Sequence, residues 1–147
     1  MRVNAFATLC VLVLAACGGD QVQADAGERT GSAGASVDPA TLDPASITSA
    51  ELALGDSLFH GLIGAVSCQA CHGADAKGGT VAPDLTDSVW LHSNGSYGAI
   101  YHQIETGVMA PKQYTSMMPP FGGAQLTPAQ HRAVAAYTYR LNHPVPK

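Results

Sequence analysis

Apolar residues recur at spacings of three and four along the last two-thirds of this chain, and no stretch alternates convincingly as a half-buried strand would. The pattern predicts helices. Leu54, Leu58 and the neighbouring Phe59 form one apolar stripe. Its start is marked by Thr48-Ser49-Ala50-Glu51, a spacing at which hydroxyl and carboxylate can each accept the other residue's backbone N–H, and Ile47 can pack on Leu52 across the cap. A second helix is predicted from about Ser96 to Thr106, with Ile100 and Ile104 inward and Gly107 as its stop. The last begins at Thr127-Pro128-Ala129-Gln130, a second capping box with proline at the first helical position. Val134, Tyr137 and Leu141 share a face, and Asn142-His143-Pro144 ends the helix.

The N-terminal apolar run has a different character. Arg2 is followed by mostly apolar residues from Val3 to Ala16, fewer than the roughly 20 that cross a bilayer, so the run reads as a secretory signal. It closes with Leu14-Ala15-Ala16-Cys17, which looks like a bacterial lipobox. The expectation is a signal peptide over 1–16 and lipidation of Cys17, each buried CH₂ of an acyl chain contributing about 0.8 kcal/mol to anchoring. A plain signal peptide cut elsewhere is the alternative. Cys10 would leave with the signal. From Gly18 to about Ala45 the composition is Gly, Ala, Ser and Asp with few large apolar residues, too little burial to offset the entropy of ordering. Residues 17–45 are therefore expected to be a flexible, net-negative linker, and 46–147 a single folded domain.

The candidate chemistry sits in Cys68-Gln69-Ala70-Cys71-His72. Two cysteines separated by two residues and followed at once by histidine form the attachment signature of c-type haem. Each thiol can add across one vinyl group, which puts the histidine under the ring as an iron ligand. A zinc site would want a second pair of N/S ligands, and a redox CxxC pair would want a βαβ context. Neither is evident. A covalently bound haem c also gives a domain this small a large apolar centre.

The other axial ligand must come from elsewhere. Met118 precedes Pro119-Pro120-Phe121-Gly122-Gly123, a stiff segment that limits how far a thioether can wander. Met117 is its neighbouring alternative, and Met109 and the remaining histidines stay open. His60, His92, His102, His131 and His143 each read better as surface or internally satisfied residues.

The order Gly55, Leu58-Phe59, Cys68–His72, Gly73, Ala82-Pro83-Asp84-Leu85, Met118-Pro119 and Tyr137 resembles class I monohaem cytochrome c over roughly residues 48–143. The resemblance implies an all-α, small cytochrome c fold whose N- and C-terminal helices cross, with Gly55 and Phe59 meeting Val134 and Tyr137. It implies that the Pro83 carbonyl accepts the Nδ1–H of His72, fixing the tautomer. The run Ala82–Leu91 is similar to a segment in the haem-c subunits of cbb-type haem-copper oxidases, where the tryptophan matching Trp90 packs near the haem edge or propionates. The segment Met109–Ser116 is longer than that pattern, and the chain has one haem motif and no transmembrane helix.

These readings converge on a periplasmic, membrane-tethered carrier of single electrons, with His72 and Met118 on the iron and no catalytic residues. Its partners would be an oxidase, reductase or dehydrogenase. A gas-binding sensor with a labile methionine, or an electron-accepting dehydrogenase subunit, are the alternatives. Over residues 48–147 five basic residues (Lys77, Lys112, Arg132, Arg140, Lys147) face six acidic ones (Glu51, Asp56, Asp75, Asp84, Asp87, Glu105). Such a balance excludes a nucleic-acid binder and offers no basic ring for steering, leaving a small apolar patch at the haem edge as the docking surface.

Overall fold

A computed structural model describes residues 37–144 of the 147-residue chain. The expected signal peptide, the lipidation site Cys17 and most of the expected linker lie outside the described residues. The described residues contain four α-helices, α1 (Ser49–Phe59), α2 (Gln69–His72), α3 (Tyr97–Thr106) and α4 (Pro128–Asn142), and no strand. None of these helices is long and apolar enough to cross a membrane.

Both expected capping boxes form. Glu51 N–H donates to Thr48 Oγ1 at 3.1 Å while the Glu51 carboxylate accepts from Thr48 N–H at 3.0 Å, and Thr127 and Gln130 repeat the exchange at the head of α4. Such caps satisfy backbone donors that the first helical turn leaves unpaired.

α1 and α4 cross at Gly55. A Cβ there would overlap the Ala133 carbonyl oxygen and lie 2.7 Å from Tyr137 Cβ, so only glycine permits this approach. The crossing brings the Phe59 ring to 5.3 Å from that of Tyr137 and buries Leu58, Phe59 and Val134 completely or nearly so. α3 also packs against α4, its Tyr97 hydroxyl donating to the Arg132 carbonyl at 3.2 Å.

Ordered packing begins earlier than composition implied. Val37 and Leu42 rest against the core, and two short 3₁₀ turns, Pro39–Thr41 and Pro44–Ser46, are capped by the Asp38 and Asp43 carboxylates. Arg140 donates to the Pro44 carbonyl at 3.0 Å and Arg132 to Ser46 Oγ at 3.1 Å, while Arg132 also pairs with Glu51 at 2.7 Å. Residues 37–46, expected to belong to the linker, thus make contacts with the folded domain. Two Asp-Pro turns need almost no apolar residues of their own, so composition missed them.

Candidate haem site

The single turn of α2 carries Cys71 and His72, with Cys68 at its N-cap. Beyond it the chain doubles back: Gly78 N–H donates to the His72 carbonyl at 2.7 Å and Leu85 N–H to Ala76 at 2.8 Å. Gly78 (φ +65°) makes this possible, since a Cβ there would collide with the Ala82–Pro83 backbone. The loop delivers the Pro83 carbonyl to His72 Nδ1 at 3.0 Å. With Nδ1 committed to a carbonyl, Nε2 is the nitrogen left to bind a metal. Burial holds His72 below the ordinary histidine value against the opposing pull of Pro83, which favours the neutral imidazole that metal binding requires.

Cys68 and Cys71 form no disulfide and line one cavity together with His72. Burial pushes the Cys68 thiol up to about 11.

Another part of the cavity lining is held by a two-residue backbone clasp. Val108 N–H donates to the Met118 carbonyl at 2.7 Å, and Met118 N–H returns the bond at 3.0 Å. Gln103, one turn before the end of α3, donates to the Gly107 carbonyl at 2.6 Å beside the clasp. Met118 is half-buried against the core and lines the cavity. Met117 also reaches the cavity but is 55% exposed, and Met109 is 60% exposed and does not line it. Trp90 lines the cavity too, its indole seated where a side chain at Gly95 would otherwise stand.

The remaining histidines divide as follows. His60 and His131 have backbone-carbonyl partners, His102 is exposed, and His143 stacks on Tyr139 at 4.1 Å. His92 stands at the cavity rim, where its Nε2 accepts a long bond from Lys112 N–H at 3.4 Å.

The cavity holds about 1290 Å³ of empty space, its mouth included, between walls that include Val66, Ile100, Ile104, Leu126 and Val134. An apolar cavity lined by two cysteine sulfurs, an imidazole and a soft thioether fits a covalently attached haem. Of the lining residues that carried no periodic signal in the sequence, Val66 and Leu126 lie in loops, Phe121 in a short 3₁₀ turn, and Gln103 is a polar residue of α3. Gly107 was visible as a helix stop; its proximity to Met118 was not.

The family model for cytochrome c matches residues 52–140, more than half of the chain. The CcoP subunit of the cbb3-type cytochrome c oxidase from Rubrivivax gelatinosus is 37% identical over 91 residues, 62% of this chain and 26% of that protein. FixPc, a cbb3-type oxidase subunit from Rhizobium leguminosarum bv. viciae, is 40% identical over 81 residues, 53% of this chain and 28% of its own length. The matched segment thus spans about a quarter of these relatives. The crystal structure of cytochrome cL from Hyphomicrobium denitrificans shares the fold, with a TM-score of 0.52 at 22% identity over 69% of this chain and 53% of that one. With one CxxCH motif in the sequence, the chain belongs to the cytochrome c family as a class I monohaem member whose cofactor is covalently bound haem c.

Proposed function

We propose that this chain is a periplasmic one-electron carrier, tethered to a membrane through Cys17, with His72 and Met118 as its axial iron ligands. The observation that carries the reading is that His72 and Met118, 46 residues apart in sequence, line one apolar cavity with both thiols. When bound, haem supplies a reversible Fe(II)/Fe(III) couple, and thioether opposite imidazole favours a high potential. The residues of the chain do the rest. Cys68 and Cys71 hold the ring, the Pro83 carbonyl orients His72, and the Val108 clasp restrains Met118. The apolar walls would limit the access of water, and with both His72 and Met118 bound no coordination position would be left for a substrate.

Exposed Val81, Val89 and Met117 lie at the cavity rim and supply a small apolar patch for brief encounters with redox partners. The relatives' place in cbb3-type oxidases supports an oxidase, reductase or dehydrogenase as partner. Against a gas-binding role, the loop before Met118 is latched: Lys112 Nζ donates to the Leu91 carbonyl at 2.5 Å. A redox titration of the haem-loaded chain is expected to give one reversible one-electron wave, with the reduced form slow to bind CO. Rapid CO binding at neutral pH would favour the sensor reading instead.

A further inference from the structure

Three rings join α3, α4 and the segment that follows Met118. His131, on α4, is 3% exposed, and its Nε2 lies 2.9 Å from the Tyr101 carbonyl. A carbonyl can only accept, so Nε2 carries the proton. The imidazole stacks on the Tyr101 ring with centroids 3.6 Å apart, and Phe121 meets its edge at 5.0 Å and 86°. Phe121 is also one of two described non-glycine residues with positive φ (54°), a conformation that surrounding structure must impose. It stands three residues after Met118, across Pro119 and Pro120. Its ring packs against the core, and the N–H of the following Gly122 donates to the Pro119 carbonyl at 2.9 Å. The turn therefore depends on a ring seat, and His131 supplies one wall of it.

We propose that His131 is a positioning residue for the axial methionine: its ring, anchored by Tyr101, clamps Phe121 and through it fixes the turn that presents Met118. The inference rests on Met118 being the ligand. It also makes the clamp sensitive to acid, because imidazolium would bring a charge into a site built for a neutral ring. Burial already holds His131 below the ordinary histidine value, against weaker upward pulls from the Tyr101 carbonyl and from Glu105. Glu105 and Tyr101 are the titratable groups that α3 turns towards it. The segment 118–126 carries none, and on α4 the neighbouring Arg132 is engaged by Glu51 and Ser46.

The test follows the near-infrared sulfur-to-iron charge-transfer band of the ferric, haem-loaded chain across pH in wild type, His131→Phe, His131→Ala and Met118→Ala. Wild type is expected to lose the band in a step with a midpoint below 6.5, the ordinary histidine value. His131→Phe keeps a ring against Phe121 without a titrating group, so it should retain the band at neutral pH and lack that step. His131→Ala should show a weakened band already at neutral pH. If His131→Ala fails to take up haem, the pH profile of His131→Phe decides alone. A His131→Phe profile identical to wild type overturns the clamp, as does an undiminished band in His131→Ala. A band that survives in Met118→Ala overturns the ligand assignment itself, whereas one lost there but indifferent to His131 overturns only the clamp.

Discussion

Gly107 and Met118 approach so closely that a Cβ on Gly107 would overlap the Met118 carbonyl oxygen and lie 2.8 Å from Pro119 C and Pro120 N. Gly107 also holds φ 70°, ψ −170°, a region almost closed to residues with a side chain. One glycine thus ends α3 and sets the backbone of the proposed iron ligand.

Gly107→Ala should therefore cost at least about 1–3 kcal/mol of stability through backbone strain alone. It should also weaken the methionine charge-transfer band, because the Val108–Met118 clasp begins at the next residue. Urea unfolding with near-infrared spectra of the same sample checks both. A variant as stable as wild type would mean that the clasp can shift at no cost.

Gly55→Ala tests the helix crossing. Alanine is the better helix former by about 1 kcal/mol, so propensity alone would make the variant more stable. Collision with the Ala133 carbonyl and Tyr137 should reverse that sign, with a net loss of about 1–3 kcal/mol. Chemical denaturation that finds stabilisation would contradict the crossing.

His60 places Nδ1 2.9 Å from the Asp56 carbonyl and Nε2 2.9 Å from the Ala74 carbonyl, so only imidazolium can donate to both. The Ala74 and Asp56 carbonyls accordingly raise its pKa, with the Asp56 carboxylate adding to them. Because the folded state holds this proton more tightly than the unfolded chain, the stabilisation is full below 6.5 and disappears as pH rises through the folded value. Unfolding of wild type and His60→Gln from about pH 5 to about pH 9 is expected to show a stability gap that narrows with rising pH. A constant gap would show that His60 does not titrate in this way.

Arg140→Met removes the hydrogen bond to the Pro44 carbonyl while keeping the apolar stem. The global loss should be modest, about 1 kcal/mol. Amide exchange should nonetheless quicken at Thr41, Leu42, Ser46 and Ile47, whose N–H groups close the two 3₁₀ turns. Unchanged exchange there would mean that Val37 and Leu42 hold the strap without the arginine.

The helices were legible because caps and apolar stripes are local: Thr48 with Glu51 and Thr127 with Gln130 form the bonds their spacing implied. The crossing at Gly55 and the Pro83 carbonyl at His72 were reached through family resemblance, and the geometry has them where that likeness put them. What remained hidden was non-local. Nothing in the order of residues 107–118 shows that Val108 and Met118 pair, or that Lys112 reaches Leu91. His131 reads in sequence as one more polar residue on a helix, and its role depends on Tyr101 and Phe121, which come from two other parts of the chain.

The central claim is that His72 and Met118 form the axial pair, and removing each candidate thioether in turn tests it most directly. Ferric wild type and Met117→Ala should both show the near-infrared charge-transfer band, and Met118→Ala should lack it and have a lower midpoint potential. A band that persists in Met118→Ala and vanishes in Met117→Ala would contradict the assignment.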